Sequence, residues 1–471
     1  MKKIFIVLFT FCTTSIIAQN PKIIGTWQGK INVGVSLRVI FNFTKDNLGN
    51  IQATTDDPDQ GIKGVPCSNI IRHGDSIHLD IPNFKASFAG KFINDSTISG
   101  QLIQGRKLDL MLQKVNAVIE LPRPQTPKPP FSYISEDIEY DNPDKTLHYG
   151  ATITIPKGKG PFPAMVLITG SGSQNRDEEI MEHKPFAVIA DHLTKNGFIV
   201  LRVDDRGMGK SSGGTAMATS ADFAKDVNTS LDYLKKRKEV DIKHIGMMGH
   251  SEGGMIAPMV ATQRKDIDFI IMLAGPGEKI SKVMEDQNAA IMLSSGMPKN
   301  MVEAYIKLYH KMIPAIVNAQ NIDDAKKRLI AELEAWKKIT PKNTVMLTTG
   351  ITDEAKQNQF VNVFATSLDN PWFKYFLQFD PQPYLTKLKC KVLALNGEKD
   401  LQVISKPNLK GIKMALQKSK SPGYEIKEMR GLNHLFQHCK KCTVNEYGEL
   451  EETFSPEVLQ IMSDWLKKNV K

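Results

Sequence analysis

Beyond its first residues the chain lacks any apolar run long enough to span a bilayer, so no later segment is expected to insert into a membrane as a helix. Cysteine is scarce, with five in 471 residues. One of them, Cys12, lies in the apolar leader, which leaves Cys67, Cys390, Cys439 and Cys442. Histidine is scarce too, with 10 in the whole chain, and this narrows the choice of any catalytic base. The net charge of +10 is not gathered into one basic stripe. Scattered runs such as Lys235-Lys-Arg-Lys238 and Lys467-Lys468 read as solvated helix ends, and nucleic acid is not an expected partner.

The leader has its own pattern. Lys2 and Lys3 precede an apolar stretch from Ile4 to Ile17, followed by Ala18-Gln19. A short positive start, an apolar core too short to span and a small residue at the cut describe a signal peptide over residues 1–18, with cleavage after Ala18. Phe11 before Cys12 is not small, which argues against lipoprotein processing. The expectation is an exported protein, periplasmic or secreted. Losing both lysines lowers the charge to about +8.

Residues 19–118 read as all-β. Alternating runs at Ser36–Phe43, Ser76–Ile81, Ala86–Phe92, Thr97–Leu102 and Leu108–Gln113 are separated by turn signals such as Asn47-Leu-Gly-Asn50 and Arg72-His-Gly-Asp75. Short strands at this spacing favour a small barrel or curled sheet. Gly25-Thr-Trp27 is similar to the G-x-W that opens lipocalin-like barrels, and the module is expected to be structural or accessory. Leu121–Pro130 then carries five prolines in ten residues. It can form neither helix interior nor sheet interior, so residues 119–131 read as an extended linker.

From residue 132 strands alternate with helices, which implies a mostly parallel sheet with helices on both faces. Ile134–Tyr140 and Leu147–Ile155 read as an antiparallel pair. Ala164–Thr169, Phe198–Val203, the run into His250, Phe269–Leu273, Lys391–Asn396 and Tyr424–Met429 are the further strands. Helices are expected at about 184–196, 220–236 and 456–468. Between about 277 and 383 strand signals stop and helical composition takes over, as for a cap inserted over one edge of the sheet. The aromatic group Trp372, Phe373, Tyr375, Phe376 and Phe379 at its exit fits either an acyl pocket or the cap's own core.

The chemistry gathers at Gly249-His-Ser-Glu-Gly253, a G-x-S-x-G pattern after an apolar strand and before a small-residue helix. Such a turn lifts the serine hydroxyl clear of the sheet, where free helix N–H groups face it. A serine needs a base, and imidazole steadied by a carboxylate serves. In this strand order both should follow Ser251. His434, in Arg430-Gly-Leu-Asn-His-Leu-Phe436 after the last strand, is the preferred base over His438, and His310 lies in the cap. Asp400 is the preferred acid over Glu398, with Gly397 suited to the turn that carries it. For an oxyanion hole, one N–H should come from Glu252 and another from Gly170-Ser-Gly-Ser173, with Ser171 first and Gly172 next.

Five motifs in order resemble the α/β-hydrolase superfamily, and more narrowly exported bacterial carboxylesterases of the EstD type and serine aminopeptidase-like hydrolases. They are Gly170-Ser-Gly-Ser-Gln-Asn-Arg-Asp177, Val203-Asp-Asp-Arg-Gly-Met-Gly-Lys-Ser211, Gly249–Gly254, Asn396-Gly-Glu-Lys-Asp400 and Gly431-Leu-Asn-His-Leu-Phe436. The resemblance spans about residues 130–471 and implies an α/β-hydrolase fold with nucleophile Ser251, acid Asp400 and base His434. It implies a structural role for Asp204-Asp205-Arg206 beneath the site. The β-module, with Asp57-Pro-Asp-Gln-Gly61, also resembles one that precedes such hydrolases. Cys439-Lys-Lys-Cys442 departs from the pattern and reads as a local disulfide ahead of redox or metal-binding uses.

The expected activity is hydrolysis of small, short-acyl esters by a serine carboxylesterase, with no cofactor and no metal. One alternative is a serine aminopeptidase or acyl-peptide hydrolase, which would need an acidic group such as Glu252, Glu332 or Glu334 to hold a substrate amine. Another is a ligand-binding protein whose hydrolase half is inactive.

Overall fold

The computed structural model describes residues 23–33, 36–117 and 121–470. The leader and its cleavage site lie outside the described residues, as does the start of the linker. The chain divides into two units, one formed by residues up to 58 and 62–119, the other by 59–61 and 120–471.

The first unit is a single antiparallel sheet of nine strands among the described residues. They are β1 (Gly25–Asn32), β2 (Ser36–Lys45), β3 (Ile51–Asp57), β4 (Ile62–Pro66), β5 (Ser68–His73), β6 (Ser76–Ile81), β7 (Ala86–Asn94), β8 (Thr97–Gln104) and β9 (Arg106–Val115). Their order is β4-β3-β2-β1-β9-β8-β7-β6-β5, so the sheet meanders outward from a central β1–β9 pair. Alternation decides which face is core: in β6 Ile77, Leu79 and Ile81 are buried while Ser76, His78 and Asp80 are not. Trp27, Phe41, Phe43, Leu79, Phe88 and Ile98 fill that core, each at most 1 % exposed. Trp27 meets Phe92 edge to face at 5.6 Å and donates its indole N–H to the Ile23 carbonyl. Several strands here were not legible in advance. β4 and β5 are short and half-exposed, and β3, with its run of threonine and aspartate, has little apolar alternation.

The second unit is an α/β sandwich. Its strands are β10 (Ile134–Asp141), β11 (His148–Ile155), β12 (Phe162–Ile168), β13 (Ile199–Val203), β14 (Val240–His250), β15 (Phe269–Leu273), β16 (Lys391–Gly397) and β17 (Tyr424–Met429). Their order is β10-β11-β13-β12-β14-β15-β16-β17. β10 and β11 run antiparallel to their neighbours, and all pairs from β13 to β17 are parallel. This is the α/β-hydrolase arrangement. Helices α1 (Pro185–Lys195), α2 (Ser220–Leu234) and α3 (Glu252–Gln263) follow β12, β13 and β14. After β12 the chain steps to one side for β13 and to the other for β14. The carboxyl ends of β12 and β14 therefore adjoin at a topological switch point, where open α/β sheets place their ligands.

Between β15 and β16 the chain is helical: α4 (Ile280–Ser294), α5 (Lys299–Val317), α6 (Ile322–Ile339), α7 (Lys342–Thr349), α8 (Glu354–Ala365), α9 (Pro371–Gln378) and α10 (Gln382–Leu385). Leu308, Met312, Leu329, Leu333 and Trp336 form a core of their own there. α11 (Ser405–Leu416) and α12 (Pro456–Asn469) complete the sandwich. One face of the sheet packs on α2, α3 and α11, through residues such as Leu231, Ile256 and Ile412. The other packs on α1 and α12, through Phe186, Leu193, Val458 and Met462.

The proline-rich stretch forms no helix or strand, as its composition requires. It is tied to the second unit all the same. Arg123 donates to the carbonyls of Met181, Gly448 and Leu450, and Gln125 exchanges bonds with Thr453 and Phe454. Charge-assisted bonds of this kind are worth about 1.5–3 kcal/mol. Arg123→Ala is expected to lower the unfolding free energy by about 2 kcal/mol, read from urea denaturation of the full chain, whereas exposed Lys128→Ala should leave it unchanged.

Candidate active site

Ser251 follows β14 with φ 52° and ψ −113°, a positive-φ conformation that costs a non-glycine residue about 1–3 kcal/mol. What holds it there is close packing on either side. A Cβ at Gly249 would lie 2.0 Å from the Gly253 carbonyl oxygen, and one at Gly253 would lie 2.1 Å from that of Ile168. Both glycines of the motif are therefore required by backbone contact. The Ser251 N–H donates to the Leu273 carbonyl at 2.8 Å, which pins the turn to β15. α3 begins at Glu252, so its first N–H groups have no partner within the helix.

The loop after β12 packs against this turn: a side chain at Gly170 would start 3.4 Å from the Ser251 Cβ. Ser171 and Gly172 follow and are exposed, and Gly172 has φ +99°. Two acidic side chains, buried Asp204 and half-buried Asp205, hold the loop. The Asp205 carboxylate accepts from the Gln174 N–H and the Thr169 hydroxyl, both at 2.8 Å. Asp204 accepts from the Arg176 backbone and guanidinium. Arg206 pairs with Asp226 at 2.6 Å. The Asp204-Asp205-Arg206 loop is thus a scaffold for residues 169–176, as its resemblance implied.

His434 and Asp400 come together from the ends of β17 and β16. The His434 Nδ1 lies 2.7 Å from Asp400 Oδ2, and both residues are buried, at 3 % and 2 % exposure. The other Asp400 oxygen accepts from the N–H groups of Gln402 and Val403. The histidine loop is a tight turn in which Asn433 accepts from the N–H groups of Leu435 and Gln437. The competing candidates sit elsewhere. His438 is exposed and paired with Glu452, His310 pairs with Glu285 in the cap, and Glu398 accepts from the Gly431 N–H.

Two features were not legible in the sequence. His250, inside the motif, is buried: its Nε2 lies 3.0 Å from the His434 carbonyl and its Nδ1 3.0 Å from Glu178. The Glu252 side chain is also buried, and takes hydrogen bonds from Ser220 at 2.6 Å and from the Trp372 indole of α9 at 2.8 Å. Burial raises its carboxyl above the usual range, against the pull of Ser220, Trp372 and Ser171. Glu334, by contrast, pairs with Lys337. Cys439 and Cys442 form a disulfide. Their sulfurs are the only cysteine ligands in the one metal-like cluster among the described residues, and its third member, Glu446, already accepts from three backbone N–H groups.

A family model described as serine aminopeptidase, S33, matches residues 181–358, a stretch that holds Ser251 but ends before Asp400 and His434. Esterase EstD of Thermotoga maritima is 38% identical over 165 residues, which is 34% of this chain and 39% of that protein. Cutinase est1 of Thermobifida alba is 25% identical over 131 residues, 26% of this chain and 38% of that one. The chain therefore spans well under half of the length of these relatives. An esterase structure from Pyrococcus furiosus superposes on 76% of the chain, at 14% identity and a TM-score of 0.43. The resemblance to EstD-type and serine aminopeptidase-like α/β hydrolases, read from five motifs, is met by the family model and by the named esterase.

Asp205 provides a test of the scaffold. Burial pushes its carboxyl from 3.8 up to about 8, only partly offset by the Gln174 and Thr169 bonds. The folded state thus holds this proton more tightly than the unfolded chain, and its stability falls as pH rises from about 4 to about 8. An amide can keep both bonds without ionising. Asp205→Asn should therefore gain stability relative to the parent across that window, as measured by urea unfolding at a series of pH values.

Proposed function

We propose that the protein is a serine carboxylesterase for small esters with short acyl chains. In this reading Ser251 attacks the ester carbonyl while His434 Nε2 accepts its proton. Asp400 fixes the Nδ1–H tautomer and stabilises the imidazolium. The N–H groups of Glu252 and of Ser171 or Gly172 receive the negative oxygen, an arrangement worth about 3–4 kcal/mol of barrier. His434 then returns the proton to the leaving alcohol. Water attacks the acyl-enzyme by the same route and releases the acid.

The observation that carries the reading is the buried 2.7 Å contact between His434 and Asp400, on a loop bonded to the residue before a strained Ser251. The name of the matched family favours a second reading, cleavage of a peptide at its amino terminus. Against it, the Glu252 carboxyl is buried, holds Ser220 and Trp372 on one oxygen, and is pushed by burial toward its neutral form, a poor partner for a substrate amine.

Two further parts of the proposal concern the rest of the chain. The leader with Lys2 and Lys3 directs export, with removal after Ala18. The β-module is lipocalin-like in its Gly25-Thr-Trp27 start and serves as an accessory unit rather than a ligand cup, since large side chains occupy its core.

The expected result is hydrolysis of p-nitrophenyl acetate and butyrate with covalent labelling by a fluorophosphonate, and little activity on aminoacyl-naphthylamides. Ser251→Ala should abolish both turnover and labelling. Asp400→Asn should lower kcat by about 10⁴-fold by freeing the wrong tautomer. Undiminished turnover in Ser251→Ala would sink the reading.

A further inference from the structure

We infer that Glu178 and His250 act together as positioning residues that hold the oxyanion loop, the nucleophile and the base in one register. The inference rests on the esterase reading above and adds to it a part that neither the serine motif nor the triad contains.

The contacts run in one line across the site. Glu178 Oε1 accepts from the Gly170 N–H at 2.6 Å, directly before Ser171. The same oxygen lies 3.0 Å from His250 Nδ1. The far side of that ring, Nε2, lies 3.0 Å from the His434 carbonyl oxygen. The two rings also face each other, with centroids 4.8 Å apart. His250 is joined covalently to Ser251. One imidazole therefore touches the segments that supply the proposed nucleophile and base, and through Glu178 it reaches the proposed oxyanion donors.

The proton inventory shows how the line is held. A carbonyl oxygen only accepts, so Nε2 carries a hydrogen. Oε1 already accepts from Gly170, and its short contact with Nδ1 calls for a second hydrogen between them. Placed on Nδ1, that hydrogen makes the pair an imidazolium and a carboxylate, with side chains 8 % and 7 % exposed. Phe186, Leu273, Leu435 and Phe454 pack around it, with the acids Asp400 and Asp205 near enough to act on the ring and on Glu178. Burial by itself would push His250 below its ordinary pKa, but the charge and hydrogen bond of Glu178, with the His434 carbonyl, raise it. Glu178 itself sits at φ 50°, a conformation a glutamate adopts only when its surroundings impose it.

A neutral amide cannot replace the carboxylate. With glutamine at 178, His250 loses its counter-ion and Nδ1 becomes an acceptor. The amide can then donate to Nδ1 or accept from Gly170, but its single group at the Oε1 position cannot do both. Either way the Gly170 loop or the His434 loop is released. Displacements of about 1 Å among reacting groups can cost on the order of 10²-fold in rate. The reacting groups themselves remain, so substrate binding changes far less than turnover.

The test uses the full chain with p-nitrophenyl acetate. Glu178→Gln and His250→Gln should each lower kcat by about tenfold or more while KM moves by less than about threefold. Because the two act as one unit, the double variant should fall no further than about threefold below the worse single one. A second readout does not depend on turnover or on those variants folding. In ¹⁵N-histidine-labelled Ser251→Ala protein at about pH 7, His250 should give the signature of an imidazolium protonated on both nitrogens. A neutral His250 ring there, or a kcat within about twofold of the parent in either single variant, would overturn the inference. Loss of the esterase reading would show separately, as turnover that survives Ser251→Ala.

Discussion

The site depends on how closely β14 and α3 pass over the end of β12. With the backbone of Gly253 where a Gly249 Cβ would stand, and that of Ile168 where a Gly253 Cβ would stand, neither position has room for a single added carbon. That contact bends the chain at Ser251 into a conformation it would not otherwise keep. It also sets the serine beside Gly170, since β12 and β14 are neighbours in register with Ile168 opposite Gly249. The switch in strand order then places a loop on each side of the turn. The remaining parts of the site are attached to this frame by hydrogen bonds from buried groups.

Those buried groups are mostly acids, and each is stabilised differently. Asp400 has His434 and two backbone N–H groups. Glu178 has His250 and the Gly170 N–H. Asp204 has Arg176. Asp205 and Glu252 have only neutral donors, and burial raises the pKa of both. An uncompensated buried charge is costly, so these two carboxyls fit sites where geometry matters more than charge. Asp205 shapes the loop after β12, and Glu252 ties α2 to the helical insertion.

Much of this is legible in the sequence. The alternation of strands and helices located the parallel sheet, and G-x-S-x-G located the turn, because a backbone clash writes itself into sequence as glycine. Asp400 and His434 were legible as an acid and an imidazole on the loops after β16 and β17, and the structure brings them within 2.7 Å of each other. Glu178 and His250 were not. A histidine beside a serine has no pattern of its own, and its partner is 72 residues away. Arg123 was hidden for a related reason: a proline-rich stretch announces the absence of helix and sheet, but not which carbonyls its arginine will reach.

The choice between ester and amide turns on Glu252. As a free carboxylate beside the nucleophile it would be well placed to hold a substrate ammonium. Its side chain instead ties Ser220 at the start of α2 to Trp372 of the helical insertion. Both bonds end on Oε1, the residue lies 3 % exposed, and burial favours its protonated form, so a substrate ammonium would have to ionise a buried carboxyl to find a partner there. The same two bonds fasten α9 over the start of α3, so displacing them would also loosen the insertion from the turn it covers. An ester substrate makes no such demand: in the proposed reading it calls on backbone N–H groups, that of Glu252 among them, and not on the carboxyl. In the proposed reading the side chain of this one residue anchors the insertion while its backbone N–H is left for the acyl oxygen, a division that suits a neutral acyl substrate better than a charged amino terminus.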